Sequence, residues 1–268
     1  MTITSTGDYI NAQKQSINFF KSGARTTVAS IQFSLIDLAG TGPGTLAGSN
    51  TSAGVVPDDT TAGTPAIDPF GARATGYISL VDFNSSVSGR IYLYDMLWKA
   101  GAYNAATSNT ITSPPSFEGR MPDYSAPNTF GRGNQIWLET VTAFTGLQSC
   151  NIGYTNDLGV AGQQTGVIAT GIAPTLGRMF RMPLQAGDNG VSSIQSIQST
   201  VATQGTFNVL ILRPLWQGRC RFNHEADVHG LDKTGLPIVY ANSALFMTVA
   251  ADGTGSGVPN LQIEVSSL

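Results

Sequence analysis

The stretch from Gly205 to Arg221, GTFNVLILRPLWQGRCR, limits what this chain can fold into more than any other. Its centre, Phe207–Leu212, is a nearly continuous apolar run that closes at Arg213-Pro214. The run is too short for a buried helix, and the proline would break any helical continuation. It therefore predicts a strand that is buried on both faces in the middle of a sheet.

Turn-forming residues are abundant, with 31 glycines and 13 prolines, and they favour many short strands. The other predicted strands are Thr26–Leu38, Gly76–Phe83, Gly89–Trp98, Gln135–Phe144, Gln148–Tyr154, Thr165–Gly171, Gly177–Pro183, Val191–Val201, Ser243–Val249 and Asn260–Val265. Three successive pairs across short links are predicted as hairpins, at 76–98, 135–154 and 243–265. The pattern predicts an all-β chain, an antiparallel β-sandwich or jelly-roll with one short N-terminal helix and long Gly/Pro/Thr-rich loops.

The single predicted helix spans Asp8–Lys21, where Ile10, Ile17 and Phe20 recur at helical spacing and Gly23 supplies a stop. An amphipathic segment at this position packs on its own domain or docks on a neighbouring subunit. In the second case Ile10, Ile17 and Phe20 would form a contact arm for a second subunit or a shell.

The predicted domains are an N-terminal arm with the short helix at residues 1–25 and a single β-sandwich at 26–268. Two stretches, 39–73 and 102–134, are rich in Gly, Pro, Ser and Thr and bury too little apolar surface to form a core alone. Connections this long are typical of segments that reach over a surface or a partner.

Only 12% of the residues are charged, about half of the ~25% in ordinary globular chains, and the net charge is -3. Without a basic cluster, nucleic acid is excluded as a main partner. No apolar run approaches the ~18 residues of a membrane span, and the first residues do not form a signal peptide, so we expect synthesis in a cytoplasm. A sparsely charged surface suits docking on another protein. The alternative is a monomer that Ser, Thr and Asn side chains keep soluble, since it would have the same low charge.

Titratable side chains crowd in one segment, which contains His224, Glu225, Asp227, His229 and Asp232. Two histidines with carboxylates could ligate zinc. The chain has no further histidine to complete such a site. We therefore interpret the segment as a solvated loop with turn-capping side chains, and we predict no metal or cofactor.

No catalytic residue is predicted, and we do not expect an enzyme. Ser256 lies in a Gly-Thr-Gly-Ser-Gly string, but it is not central as a nucleophile elbow requires, and β-strands flank it. Cys150 and Cys220 cannot form a disulfide framework, and they are predicted as buried free thiols. A pairing of the two in an oxidising medium is the alternative.

Several short sequence phrases carry a resemblance to a known group of proteins. They are Thr26–Ala29, Val55–Pro57, Ile91–Trp98, Ile136–Glu139, Tyr154–Asn156 and Pro183–Asp188. In these residues the chain resembles structural proteins from the virions of tailed bacteriophages. The phrases carry no catalytic motif, so no functional residue is transferred.

The resemblance implies a capsid decoration, or cement, protein on the outside of an icosahedral head. The implied location is the virion, the implied partners are the major capsid protein and further copies of the chain, and a homotrimer is the expected oligomer. A tail or fibre component that recognises glycans on the host surface is the alternative.

Overall fold

The computed structural model describes residues 3–71, 75–146, 149–169, 174–199 and 204–268. Their regular secondary structure is almost entirely antiparallel strand, which confirms the predicted all-β class. The elements in chain order are α1 (Thr6–Asn11), β1 (Gln13–Phe20), β2 (Phe33–Ser34), β3 (Thr75–Asn84), β4 (Gly89–Asn104), β5 (Asn109–Thr110), β6 (Gln135–Thr142), β7 (Ser149–Asn156), β8 (Gln163–Gln164), β9 (Ile168–Ala169), β10 (Met179–Arg181), β11 (Val191–Ser199), β12 (Thr206–Cys220), β13 (Ala226–His229), α2 (Leu231–Thr234), β14 (Ile238–Tyr240), β15 (Leu245–Ala251) and β16 (Asn260–Ser267).

The chain divides into two compact units. Unit 1 contains Met1–Thr45, Asp58–Asp95 and Leu215–Leu268, and unit 2 contains Leu46–Pro57 and Met96–Pro214. The boundaries fall inside β4 and β12, so each of these long strands contributes one part to each unit. A single domain at 26–268 remains a prediction, because compactness alone does not decide whether the two units unfold together.

Unit 1 is built from two facing sheets. One sheet has the order β1-β16-β3-β13, with β14 also paired to β3, and the other contains β12, β4, β15 and β2 in that order. Side chains from both sheets fill one apolar core, whose members include Phe19, Val81, Phe83, Leu93, Met247 and Ile263. This arrangement is a β-sandwich.

Unit 2 is also a sandwich with its own core. Its sheets have the orders β10-β6-β12-β4 and β5-β11-β7-β8, and β9 pairs with β7. The core takes side chains from both sheets, among them Trp98, Ile136, Ile152, Tyr154, Ile194, Phe207 and Ile211. The predicted β-sandwich class is thus confirmed in both units.

Strand β12 holds the central position that its sequence predicts, between β6 and β4. The residues of Phe207–Leu212 are at most 1% exposed. The strand is longer than predicted, however, because it continues through Pro214 to Cys220. The ladder to β6 ends where Leu212 pairs with Gln135, so the missing N–H of Pro214 does not interrupt it.

The helix predicted at Asp8–Lys21 is wrong in its extent. A capping box formed by Ser5 and Asp8 starts α1, but the helix ends at Asn11, and strand β1 follows at Gln13. Ile17 and Phe19 are buried while their neighbours in β1 are exposed, which is the period of two of a strand. β1 pairs with β16 along its whole length. The N-terminal segment therefore packs on its own unit.

The three predicted hairpins are wrong as pairings, although the strands exist. In each pair, β3 with β4, β6 with β7, and β15 with β16, the two strands belong to different sheets. Their links cross between the layers of one sandwich. An alternating pattern shows that one strand face is buried, but it does not show whether the next strand lies beside it or about 10 Å away in the opposite layer.

The strand predicted at Thr26–Leu38 shrinks to β2, which pairs with β15. Ser30 has a φ of 63°, a left-handed conformation that ends the extended run. Other predictions reach beyond the described residues. Parts of the predicted strands at 148–154, 165–171 and 191–201, and of the loop at 39–73, lie outside them.

Candidate functional site

The residues predicted as a contact arm do not share a helix face. Ile10 lies on α1 and is 70% exposed, whereas Ile17 and Phe20 lie on β1. Ile17 points into the core of unit 1 and is 5% exposed. Phe20 lies three positions further along β1, on the opposite face of the strand, and is 37% exposed. A contact of Ile10 or Phe20 with another subunit remains a prediction, but Ile17 is already used by the core.

His229 is a packing group rather than a free ligand. Its Nδ1 accepts a hydrogen bond of 3.0 Å from the indole Nε1 of Trp216, and its ring meets Phe83 edge-on at 4.9 Å between centroids. The carboxylate of Asp227 lies 3.6 Å from Nε2. Burial lowers the pKa of His229, and the bond from Trp216 requires an unprotonated Nδ1.

The predicted loop is only partly present, because Ala226–His229 forms β13, which pairs with β3, and Asp232 lies on α2. The residues before β13 form a turn. His224 has a φ of 60°, and the Glu225 carboxylate accepts hydrogen bonds from the backbone N–H groups of Arg221 and Phe222. In the part of the chain that the structure describes, no group of three or more His, Cys, Asp or Glu side chains is placed to hold a metal ion.

The nucleophile candidates are also buried and fixed. Ser256 is fully buried, and its Oγ accepts from the Arg25 backbone N–H and donates to the Gly257 carbonyl. Cys150 and Cys220 are free buried thiols, as predicted. Burial raises the pKa of Cys150 to about 12 and that of Cys220 to about 11, so both stay as poorly nucleophilic thiols at neutral pH.

A cleft of unit 2 with a volume of about 580 Å³ lies beside Asp188, Arg181 and Asn134. The Asp188 carboxylate accepts hydrogen bonds from the Tyr154 hydroxyl at 2.6 Å and the Asn156 amide at 2.7 Å. Because protein donors already engage both of its oxygens, Asp188 orders the loop beside β11 instead of presenting a free acid.

A segment of unit 2, from Leu158 to Gly177, contains no charged residue. The described part of this uncharged segment exposes four large apolar side chains to solvent: Leu158 (69%), Val160 (49%), Val167 (60%) and Leu176 (44%). Exposed apolar side chains that lie close together in the chain are typical of protein contact surfaces. Within the described ranges, no helix combines the length and apolar character that crossing a membrane requires.

Among the buried polar side chains of unit 2, Lys99, Glu139 and Asn208 lie on three neighbouring strands. Asn208 and Glu139 are fully buried, and they are directly opposite each other in the register of β12 and β6. The Lys99 side chain on β4 is 7% exposed. We refer to these three residues as the buried triad.

A single carboxylate oxygen of Glu139 contacts both other members of the buried triad. Glu139 Oε2 lies 3.4 Å from Lys99 Nζ and accepts a hydrogen bond of 2.6 Å from Asn208 Nδ2. The second oxygen, Oε1, is buried and has no hydrogen-bond partner among the described residues. A buried carboxylate with an unsatisfied oxygen is costly, so this cluster is an energetically unfavourable polar site in the sheet.

The segment at 46–57 covers the triad. The Leu46 carbonyl accepts from Asn208 Nδ2 at 2.6 Å, and the Gly48 N–H donates to Asn208 Oδ1 at 2.8 Å. A Cβ at Gly48 would come within 3.0 Å of Asn208 Oδ1, and one at Gly101 within 2.2 Å. Glycine at both positions lets the backbone approach the amide closely.

Sequence reasoning missed the buried triad, although a signal is present. Asn208 interrupts the apolar run of β12, Glu139 interrupts the apolar stretch of β6, and Lys99 follows Met96-Leu97-Trp98 in β4. Single polar residues inside strongly apolar strands indicate a buried polar contact. Which of them meet depends on strand order and register, which the sequence pattern does not show.

No protein-family model matches the chain, and no curated protein matches its sequence. Among solved structures, the infectious bursal disease virus VP2 subviral particle aligns with 10% identity over 100% of this chain and 82% of that chain, with a TM-score of 0.22. The structure of the Gt strain of the same virus aligns with 10% identity over 96% of this chain and 81% of that chain, with a TM-score of 0.18. Scores at this level do not establish a shared fold.

Proposed function

We propose that the chain is a structural component of a virion, most specifically a decoration protein that binds the outside of an icosahedral head. The observation that carries the proposal is the uncharged segment at 158–177, which exposes Leu158, Val160, Val167 and Leu176. Water would be released from these side chains on contact with a shell, and the segment itself carries no charge that would have to be desolvated. The major capsid protein is the proposed partner, and the virion is the proposed location.

The proposed role is static. A cement protein adds buried area where shell subunits meet, so its stable β-sandwich units would present a fixed surface to the shell. The low charge of the whole chain, 12% of its residues, agrees with docking by packing and backbone hydrogen bonds. Association of three copies around a local symmetry axis is the proposed oligomeric state.

In the predicted N-terminal arm, Ile10 and Phe20 remain candidate contacts with a shell, whereas Ile17 is buried in the core of unit 1. Deletion of residues 1–22 would remove β1, expose the edge of β16 and withdraw Ile17 and Phe19 from the core of unit 1. Such a deletion would report on folding as well as on attachment. The substitution Ile10→Asp is the better test, since this side chain is 70% exposed on α1.

The experiment is a binding assay with heads that lack this chain, in which bound protein co-sediments with the heads. We expect the double variant Leu158→Asp/Val160→Asp to bind at least about tenfold more weakly, because two charges must be desolvated. The control is Phe222→Asp, which changes an apolar side chain of unit 1 that is 71% exposed.

Equal binding of the double variant and the control would overturn the assignment of the segment. Electron micrographs of labelled virions test the location: label on the head supports the proposal, and label on the tail would replace it with the tail or fibre alternative. Light scattering of the purified protein tests the trimer.

A further inference from the structure

The buried triad has the three groups that a spontaneous amide-forming reaction between side chains needs. Lys99 supplies an amine, Asn208 a carboxamide, and Glu139 an acid–base group whose Oε2 contacts both nitrogens at 3.4 and 2.6 Å. The two reacting side chains are on neighbouring strands of one sheet. The surroundings are almost free of solvent, since Glu139 and Asn208 are fully buried.

We propose that Lys99 and Asn208 form an intramolecular isopeptide bond, with Glu139 as the catalytic residue. The reaction joins Lys99 Nζ to Asn208 Cγ and covalently staples β4 to β12 within unit 2. It needs no oxidant, nucleotide or enzyme, and it is independent of the proposed function.

The steps balance with the groups present. A proton passes from the Lys99 ammonium to the Glu139 carboxylate, and the neutral amine then attacks Asn208 Cγ. The Nζ–Cγ bond forms while the carbonyl electron pair moves to Oδ1. Glu139 then donates a proton to Nδ2 and accepts one from Nζ, the Cγ–Nδ2 bond breaks, and ammonia leaves, to be released as ammonium.

Several contacts favour this reaction over a static ion pair. The Gly48 N–H points at Asn208 Oδ1 from 2.8 Å, where negative charge develops during the attack. Asn208 Nδ2 donates to both Glu139 Oε2 and the Leu46 carbonyl, which fixes the orientation of the amide and holds the leaving nitrogen beside the acid. The rigid sheet holds the reactants together, as an intramolecular reaction requires.

The test is the intact mass of the purified, folded full-length chain. We expect a mass below that of the sequence by about 17 Da, the mass of one ammonia. Digestion and fragmentation should then yield a branched peptide that joins residues 99 and 208. Localisation is necessary because the Asn189-Gly190 pair can lose the same mass as a succinimide. A succinimide opens with hydroxylamine at alkaline pH, whereas the isopeptide bond does not.

Three variants sharpen the test. Glu139→Gln keeps the volume and removes the acid–base group, so folded protein should retain the full mass. Asn208→Asp should lose water instead of ammonia, about 18 Da from the mass of its own sequence. Glu264→Gln is the control, because Glu264 also contacts a lysine, Lys14, at 3.7 Å but on the solvated face of unit 1. It should keep the deficit of the wild type.

A wild-type chain that is folded by circular dichroism, has its full sequence mass and does not lose ammonia over days at 37 °C would overturn the proposal. A deficit that maps to any other pair of residues would do the same. A deficit that persists in Glu139→Gln would remove Glu139 from its catalytic role. Because the wild-type measurement needs no variant, a variant that fails to fold does not decide the outcome.

Discussion

Lys21 in unit 1 and Lys99 in unit 2 are both buried, but their ammonium groups meet different partners. Lys21 is fully buried and lies 3.3 to 3.5 Å from four backbone carbonyl oxygens, those of Ile36, Leu38, Thr41 and Gly63. Lys99 lies beside a carboxylate that also holds the amide of Asn208. Carbonyl groups solvate a cation but cannot take its proton or react with its amine. The same residue type is thus a structural clamp in one unit and a candidate nucleophile in the other.

The electrostatics of Lys21 agree with a structural role. Burial lowers the pKa of Lys21 to about 8, and the nearby negative charge of Asp37 opposes the change only in part. Asp37 is itself bonded to Arg25. Lys21 therefore sits in a site that weakly disfavours its charge, with no group beside it that could use the neutral amine.

The largest effect is expected for Lys99→Met. This change prevents the proposed staple, which closes a loop of about a hundred residues, and it leaves Glu139 as an unpaired buried acid. We expect a loss of about 4 to 5 kcal/mol in the free energy of unfolding. Urea unfolding measures the total, and hydrogen exchange locates the loss in unit 2. A loss below about 1 kcal/mol would contradict the proposal that Lys99, unlike Lys21, forms a covalent bond to another strand.

A smaller, pH-dependent effect is expected at Lys21. Its pKa in the folded chain, about 8, lies below the ordinary lysine pKa of 10.5, so the unfolded chain binds more protons between these two values. The contribution of Lys21 to stability is complete above about pH 10.5 and is lost as the pH falls through 8. Relative to Lys21→Met, the wild type should therefore gain on the order of 2 kcal/mol between pH 8 and 10.5.

The comparison with Lys21→Met is needed because the buried thiols titrate in the opposite sense. Burial raises the pKa values of Cys150 and Cys220 to about 12 and 11, so they lower the stability of both proteins as the pH rises above about 9. The difference between wild type and variant cancels this contribution. A difference that is flat with pH would mean that Lys21 is not desolvated, and Lys14→Met, at a lysine 37% exposed, serves as the control.

The smallest effect is expected at His229, a partly buried group that is neutral in the folded chain when it accepts from Trp216. Burial lowers its pKa from 6.5, and protonation of Nδ1 would break the bond from Trp216. The contribution of His229 to stability is therefore complete above about pH 6.5 and falls as the pH drops below it, and screening by solvent keeps this loss small. In His229→Gln this acid loss should disappear. The measurement is urea unfolding from pH 7 to 5. If the free energy of unfolding of the variant falls with pH as steeply as that of the wild type, other groups cause the loss.

The strands show which parts of the fold were predictable. The apolar run at 207–212 predicts a central strand, and the structure places β12 between β6 and β4. At the N-terminus, Ile10, Ile17 and Phe20 fit a helical spacing, but Ile17 and Phe19 also fit a strand, and pairing with β16 decided in favour of the strand. Short amphipathic segments fit both periods, so the tertiary partner selects one.

By itself, the sequence determined that this chain is built from strands, that Phe207–Leu212 is buried on both faces, and that the two cysteines are buried thiols. These properties follow from local composition and periodicity. Only the tertiary structure decided that successive strands cross between layers and that Lys99, Glu139 and Asn208 meet, because contacts between distant residues depend on strand order and register. A hydrophobic pattern specifies which faces are buried, but it does not show which polar side chains are buried together.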